Sequence, residues 1–161
     1  MEYKEKEGKI ILDKQLNNLD KFVFDFVSLL EDYVIVSGYV SILLGRSRAT
    51  EDVDLLVPNM KKGKPVPNIE FKFIKNDLDI YSFENKLKVI IGKNIFFISP
   101  LEMQIAFKLF LAADGTKKEL RIDKDVEDAR YIYKLFSNKI NKEELLEIVN
   151  KLNIADKLKW L

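Results

Sequence analysis

The segment of residues 33–58 constrains the fold of this chain most strongly, because two apolar runs and a glycine turn follow one another at close spacing. The first run, Tyr33–Val36, is β-branched and aromatic, which predicts a buried strand. Ser37 and Gly38 interrupt it, and a glycine lets the backbone turn sharply and approach a ligand closely. A short apolar helix is expected next, over residues 39–44.

The start of that helix is expected to suit an anion. A helix that begins just after Gly38 would point free N–H groups at the preceding loop, an arrangement that binds phosphate. Ser41 in the first turn would add a hydroxyl group. After the helix, Arg46-Ser47-Arg48 are expected to form a polar and basic turn.

Two carboxylates mark the second apolar run, which is predicted to be a strand over residues 52–57. Side chains alternate along a strand, so Asp52 and Asp54 share one face about 7 Å apart. Such a pair can hold two divalent cations that clamp both oxygens of a phosphoryl displacement. The chain has no His and no Cys, so oxygen atoms would hold the metal, which favours Mg²⁺ or Mn²⁺. The alternative is that both aspartates only flank a sheet edge.

This pattern resembles the DNA polymerase β-like nucleotidyltransferase superfamily. The signature of that superfamily is an apolar strand, a Gly followed by Gly or Ser, a spacer, and an acidic–apolar–acidic strand. Here Gly38-Tyr39 and Asp52-Val53-Asp54 hold those places, with 12 residues (40–51) between them. Tyr39 departs from the usual small residue, and its side chain is expected to crowd a triphosphate.

The resemblance implies metal-dependent transfer of a nucleoside monophosphate from an NTP to an acceptor, which would be an RNA end, a protein hydroxyl or a small molecule. The aspartate pair would hold the metal ions. The triphosphate would lie over Ser37-Gly38 and the helix start with Ser41, and Arg46 or Arg48 would neutralise its charge. The alternative is a catalytically silent binding module of the same fold, acting as a toxin–antitoxin partner or a nucleotide sensor.

A third carboxylate on a later strand is also typical of the resembled superfamily, where it serves as base or as a further metal ligand. Asp79 is the first candidate, because apolar residues flank it in a strand predicted over residues 78–83. Glu70 is the second candidate, in a strand predicted over residues 69–74, where it alternates with a lysine on a solvated face. The alternative for Asp79 is a surface position without a catalytic role.

The C-terminal half resembles toxin-type, AbiEii-like members of the superfamily, which carry a lysine on an apolar helix and a Lys/Arg-Asp-x-x-Asp element on the next. Lys108 lies in a helix predicted over residues 101–113, and Asp128 ends the matching element in a helix predicted over residues 123–136. The resemblance implies that Lys108 binds the triphosphate and that Asp128 holds Lys108 or the nucleotide. Alternatively, Lys108 extends to solvent and Asp128 only favours the helix dipole.

The 161 residues predict a single domain, with a nucleotidyltransferase-like α/β core over residues 9–98 and C-terminal helices over residues 99–161. Strands interspersed with one early helix and followed by several late helices predict an α+β fold with a mixed β-sheet. The remaining expected elements are helices over residues 13–31 and 142–152 and a hairpin of strands over residues 87–91 and 95–98.

The charge balance, 27 basic against 26 acidic residues, argues against a strong nonspecific nucleic-acid binder. Lys61, Lys62 and Lys64 lie in a predicted loop over residues 58–68 and would be solvated or touch a phosphate chain. A charged N-terminus without long apolar runs predicts a cytoplasmic protein that does not contact membranes. Trp160 would dock the C-terminal tail or form a homo-oligomer contact.

Overall fold

The computed structural model describes residues 1–50, 52–58, 66–116 and 119–161. The chain divides into two compact units, the first comprising Met1–Leu44 and Arg48–Pro100, and the second comprising Gly45–Ser47 and Leu101–Leu161. The three lysines predicted in the 58–68 loop lie outside the described residues. No helix in the described part of the chain is both long enough and apolar enough to span a membrane.

The described residues of the first unit form a seven-stranded sheet with three α-helices. Its strands are β1 (Glu2–Lys4), β2 (Lys9–Leu12), β3 (Val34–Val36), β4 (Val53–Val57), β5 (Ile69–Phe73), β6 (Leu87–Ile91) and β7 (Asn94–Ile98), and its helices are α1 (Asn18–Val27), α2 (Gly38–Leu43) and α3 (Asp77–Glu84). A short 3-10 turn connects β1 to β2.

The sheet is mixed, with the strand order β1-β2-β6-β7-β3-β4-β5. The pairs β2–β6, β3–β7 and β4–β5 are parallel, whereas β1–β2, β6–β7 and β3–β4 are antiparallel. Helix α1 packs on β7 through an edge-to-face contact between Phe24 and Phe96, whose ring centroids lie 5.6 Å apart. The expected α+β fold with a mixed sheet is confirmed.

The second unit is helical, with α4 (Leu101–Ala113), α5 (Glu119–Leu135), α6 (Lys142–Lys151) and a final 3-10 helix, Ala155–Trp160. The Asn141 side chain caps α6 by accepting a hydrogen bond from the Glu144 N–H. The Asn141 N–H in turn donates to the buried carboxylate of Glu102 at 2.8 Å, which ties the start of α6 to the first turn of α4.

Most predicted elements agree with the structure, including β5, the β6–β7 hairpin and α4, which spans the expected residues 101–113. The helix predicted over residues 13–31 is wrong in extent, because α1 covers only residues 18–27. Asn17 and Asp20 form a capping box that sets its start: the Asn17 side chain accepts from the Asp20 N–H at 2.8 Å, and Asp20 accepts from the Asn17 N–H at 3.2 Å.

The strand predicted over residues 78–83 is wrong, because Asp77–Glu84 form α3. The Asn76 side chain accepts a hydrogen bond from the Asp79 N–H at 2.9 Å, and the Asp79 carboxylate accepts one from the Lys75 N–H at 2.9 Å. Two carboxylates in the first turn also favour the positive end of the helix dipole. These polar groups outweigh the apolar–acidic–apolar alternation that suggested a strand.

Candidate functional site

Three residues near the ends of neighbouring strands lie in one row across the sheet. Val36 pairs with Asp54 between β3 and β4, and Asp54 pairs with Glu70 between β4 and β5. Directly paired residues project from the same face of a sheet, so the carboxylates of Asp54 and Glu70 are neighbours. The pairing therefore brings the second sequence candidate, Glu70, beside the aspartate motif.

A strained turn ends β3 next to this row. Ser37 has φ 65° and ψ −139°, a region that L-residues with a side chain rarely occupy. Its buried hydroxyl hydrogen-bonds the Asp54 carboxylate. Backbone strain of this kind persists only where surrounding contacts hold it, and it concentrates at functional sites.

Asp54 is the most deeply placed carboxylate of the row, with 16% of its side chain exposed against 58% for Glu70. Burial raises the pKa of the Asp54 carboxyl above its usual value, and the charge of Lys72 and the hydrogen bond from Ser37 offset part of this shift. An ionised Asp54 is therefore a strong attractor for a cation.

Lys72 supplies such a cation in the structure. Its Nζ lies 3.1 Å from Glu70 Oε1 and 3.5 Å from Asp54 Oδ1. Burial by itself would lower the pKa of Lys72, but the two carboxylates outweigh that effect and raise it. The ammonium group is consequently charged at neutral pH. The alternating sequence pattern indicates only that Lys72 lies on a solvated face, and it suggests no function for this residue.

Asp52 precedes β4 and is exposed. Its backbone carbonyl accepts a hydrogen bond from the Thr50 hydroxyl at 2.9 Å, which braces the approach to the strand. The strand predicted over residues 52–57 thus begins one residue late, at Val53. Strand alternation therefore does not place the Asp52 side chain beside that of Asp54.

Gly38 begins α2, and its missing side chain leaves room for Arg48. A Cβ atom built on Gly38 would collide with the guanidinium group of Arg48 and lie 3.6 Å from the Thr50 hydroxyl. The φ of Gly38 is not in the left-handed region, so what the glycine contributes here is room for this close approach. Arg48 therefore packs directly against the turn that was predicted to hold phosphate.

Two side chains of α2 are more fully buried than the sequence suggests. Tyr39 is fully buried, and its hydroxyl donates a 2.7 Å hydrogen bond to Asp20. It therefore points into the protein core, and the expected crowding of a triphosphate by this side chain finds no support in the structure. Ser41 is also fully buried, and its hydroxyl has no hydrogen-bond partner among the described residues.

Asp79 does not join the aspartate pair. Its carboxylate is engaged with the Lys75 N–H in the first turn of α3. Among the described residues, no three acidic, histidine or cysteine side chains lie close enough together to hold a metal ion. The strand on which the proposed role of Asp79 depended is absent, and Glu70 takes the place beside Asp54.

The remaining predicted residues form a buried ionic cluster in the second unit. Lys108 is 2% exposed, with its Nζ 2.7 Å from Asp125 Oδ1 and 2.9 Å from Asp128 Oδ2. Arg46 pairs with the other oxygen of the fully buried Asp128 and donates to the Lys124 carbonyl. Lys108 thus neither extends to solvent nor stays unpaired, and Asp128 holds it directly.

The donor set of the first unit fits a hard divalent cation. Asp54 and Glu70 offer carboxylate oxygens side by side, and Ser37 adds a hydroxyl. Mg²⁺ in proteins commonly uses one or two carboxylates and completes its coordination with water and substrate phosphates. The pair therefore suits an ion that arrives with a phosphate ligand better than an ion enclosed by protein alone.

No protein-family model and no curated protein matches this sequence. Among solved structures, the chain is similar to an antigenic nucleotidyltransferase-like protein from Paracoccidioides brasiliensis. The TM-score is 0.54 at 14% sequence identity, and the match covers 86% of this chain and 89% of that chain. At this identity the likeness concerns the fold alone. The expected nucleotidyltransferase-like fold is thereby confirmed, and the AbiEii-like assignment stays a prediction.

Proposed function

We propose that this protein transfers a nucleoside monophosphate from an NTP to a hydroxyl acceptor with the help of Mg²⁺ or Mn²⁺. One observation carries the proposal: a strained serine turn, Ser37, hydrogen-bonds Asp54, which lies beside Glu70 on a nucleotidyltransferase-like fold. The strained backbone of Ser37, the partly buried carboxylate of Asp54 and the neighbouring carboxylate of Glu70 occur together at one end of three strands. Such clusters of perturbed groups are typical of catalytic sites.

The proposed roles follow from position. The Ser37-Gly38 turn would lie along the triphosphate, and Arg48, packed against Gly38, would offset its negative charge. Asp54 would bind the metal ion together with Glu70, and Asp52 lies directly before the strand. When bound, the ion would neutralise phosphate oxygens and so favour displacement. Ser41 is fully buried, and its hydroxyl has no partner among the described residues, so we assign it no contact with the phosphate.

In the proposed reaction, the acceptor hydroxyl oxygen forms a bond to the α-phosphorus of the NTP. The bond from that phosphorus to the bridging oxygen breaks, and pyrophosphate leaves. The hydroxyl proton passes to a carboxylate, for which Glu70 is placed better than Asp79 because it neighbours Asp54 and is more than half exposed. Most of the rate gain would come from positioning and charge stabilisation.

The decisive experiment measures label transfer from each α-³²P-labelled NTP to RNA, to protein including the chain itself, and to small hydroxyl compounds. The Asp54→Asn variant should lose at least about 100-fold in rate, as expected for removal of a group that stabilises developing charge. Asp25→Asn, on the exposed face of α1, is the matched control and should retain wild-type transfer. Equal transfer by wild type and Asp54→Asn would refute the proposal.

A nucleotide-binding module without transfer activity is the second candidate. It is favoured by the ammonium group of Lys72, which already neutralises Asp54 and Glu70. Titration calorimetry with Mg²⁺ and a non-hydrolysable NTP analogue separates the two candidates. Binding that depends on Arg48, combined with no transfer to any acceptor class, would favour the module.

The acceptor, a toxin–antitoxin role, a homo-oligomer and a cytoplasmic location stay predictions. So does a nucleotide contact by Lys108, Asp128 or Arg46, whose charged groups are engaged with one another in the second unit. The proposal therefore rests on residues of the first unit alone.

A further inference from the structure

Lys72 occupies a position that a metal ion would be expected to take. Its ammonium group bridges the two carboxylates at the centre of the candidate site, 3.1 Å from Glu70 and 3.5 Å from Asp54. These are the same oxygens that the proposed divalent cation would use. A protein cation and a metal ion therefore share one set of ligands.

The β4–β5 register produces this arrangement. Asp54 pairs with Glu70 and Leu56 pairs with Lys72, so all four side chains project from one face of the sheet. Leu56 is buried, and the Leu56–Lys72 pair lies two residues further along the strands than the Asp54–Glu70 pair. The ammonium group reaches back from there to the carboxylate pair. The contact is consequently built into the strand pairing.

Charge makes simultaneous occupancy unfavourable. An ammonium and a divalent cation within a few ångströms of each other repel strongly where solvent screening is incomplete, as it is around the largely buried Asp54. Lys72, however, is 39% exposed and can move its ammonium group into solvent. An ion pair of this exposure contributes little stability, so its release is inexpensive.

We propose that Lys72 is a tethered cation that competes with the divalent metal ion for Asp54 and Glu70 and thereby sets the metal affinity of the site. This inference rests on the proposed function, because it assumes a metal ion at Asp54. Metal binding then requires displacement of the lysine. An ion that arrives with a triphosphate supplies further contacts and displaces it more readily than the ion alone.

The test measures Mn²⁺ binding to the full chain by electron paramagnetic resonance and by calorimetry, without nucleotide. Lys72→Met should bind Mn²⁺ about fivefold tighter than wild type, because it removes an ion pair of modest strength. Lys72→Arg keeps the charge and should match wild type. Lys88→Met removes an equal charge on β6, four strands or about 19 Å from β5, and should also match wild type.

Each outcome has a definite meaning. Binding that Asp54→Asn abolishes and that Lys72→Met strengthens beyond Lys88→Met supports the competition. Binding that Asp54→Asn abolishes but that Lys72→Met leaves equal or weaker overturns the inference and keeps the metal site. An absence of Mn²⁺ binding at Asp54 in every variant, including Lys72→Met, overturns the metal site and the inference together. Circular dichroism checks that each variant is folded.

Discussion

At the scale of single residues, the turn after β3 depends on the missing side chain of Gly38 and on the backbone conformation of Ser37. Gly38 admits the guanidinium group of Arg48 against the backbone, and Ser37 accepts an unfavourable φ to direct its hydroxyl at Asp54. Tyr39, the bulky residue in the motif, is turned away into the core, where it hydrogen-bonds Asp20. A bulky residue next to the glycine is therefore compatible with an open turn.

The contact between Gly38 and Arg48 can be tested by a double-mutant cycle. Gly38→Ala should leave stability within about 0.5 kcal/mol of wild type, because the colliding atom belongs to a flexible side chain. Gly38→Ala and Arg48→Ala should each weaken NTP binding by about tenfold, since the first displaces the guanidinium group from the turn and the second removes it. Calorimetry with a non-hydrolysable NTP measures both effects.

The double variant Gly38→Ala/Arg48→Ala should bind no more weakly than Arg48→Ala, because only one interaction is lost. Losses that add across the two sites would show that Gly38 and Arg48 act independently. Gly115→Ala is the matched control, since a Cβ atom there meets no described atom within 4 Å.

At the scale of elements, polar caps decide structures that apolar alternation predicts incorrectly. Asn76 and Asp79 begin a helix where the sequence suggests a strand. Asn17 and Asp20 likewise start α1 five residues after Asp13, where the longer helix was expected to begin. A cap fixes the backbone of a whole first turn, so one short polar side chain outweighs several apolar residues of ambiguous period.

Because Asp79 caps a helix and Glu70 lies in the candidate site, substitution of Asp79 should affect stability, whereas substitution of Glu70 should affect transfer. Asp79→Asn should lower the free energy of unfolding by about 0.5–1 kcal/mol through loss of a charged first-turn acceptor and leave nucleotidyl transfer unchanged. Glu70→Gln should barely change stability and should reduce transfer at least about tenfold, through loss of its proton-accepting carboxylate. Urea denaturation and label transfer measure the two quantities. Loss of transfer in Asp79→Asn with wild-type stability would restore Asp79 to the site.

At the scale of the whole molecule, the two compact units rely on different polar contacts. In the first unit, Asp54, Glu70 and Lys72 form a partly exposed charged group at one end of the paired strands, where it can meet a ligand. The second unit buries Lys108 and Asp128 among apolar helices, where Asp125 and Arg46 complete the cluster. Buried pairs of this kind are costly to break, because removal of one partner leaves a charge without compensation.

Lys108→Met should therefore destabilise the protein by about 3 kcal/mol, since it leaves Asp128 buried with only Arg46 as counter-charge. Denaturant unfolding gives the magnitude, and hydrogen exchange should locate the lost protection in α4 and α5. Lys134→Met, an exposed lysine of α5, is the matched control and should change stability by less than about 0.5 kcal/mol. Equal stability of the two variants would contradict a structural role for the cluster.

The sequence by itself determined the features that depend on residues close to one another along the chain. The apolar run, the Ser37-Gly38 break and the spacing to Asp52 and Asp54 carried the resemblance that predicted the nucleotidyltransferase-like fold, and the bounds predicted for α4 agree with the structure. Strands β1 and β2 were missed, although the apolar run Ile10-Ile11-Leu12 was a usable signal. Both are short, and β2 is recognisable as a strand mainly by its pairing with β6.

Only the tertiary structure decided which charged groups surround Asp54. The β4–β5 register sets Glu70 beside it and brings the ammonium of Lys72 onto both carboxylates. The chain also folds back after α2, which places Arg48 against the Ser37-Gly38 turn. Strand register and side-chain packing depend on residues far apart in sequence, and a shift of one residue would move every side chain to the other face. Local spacing therefore identifies the aspartates, and strand pairing selects their partners.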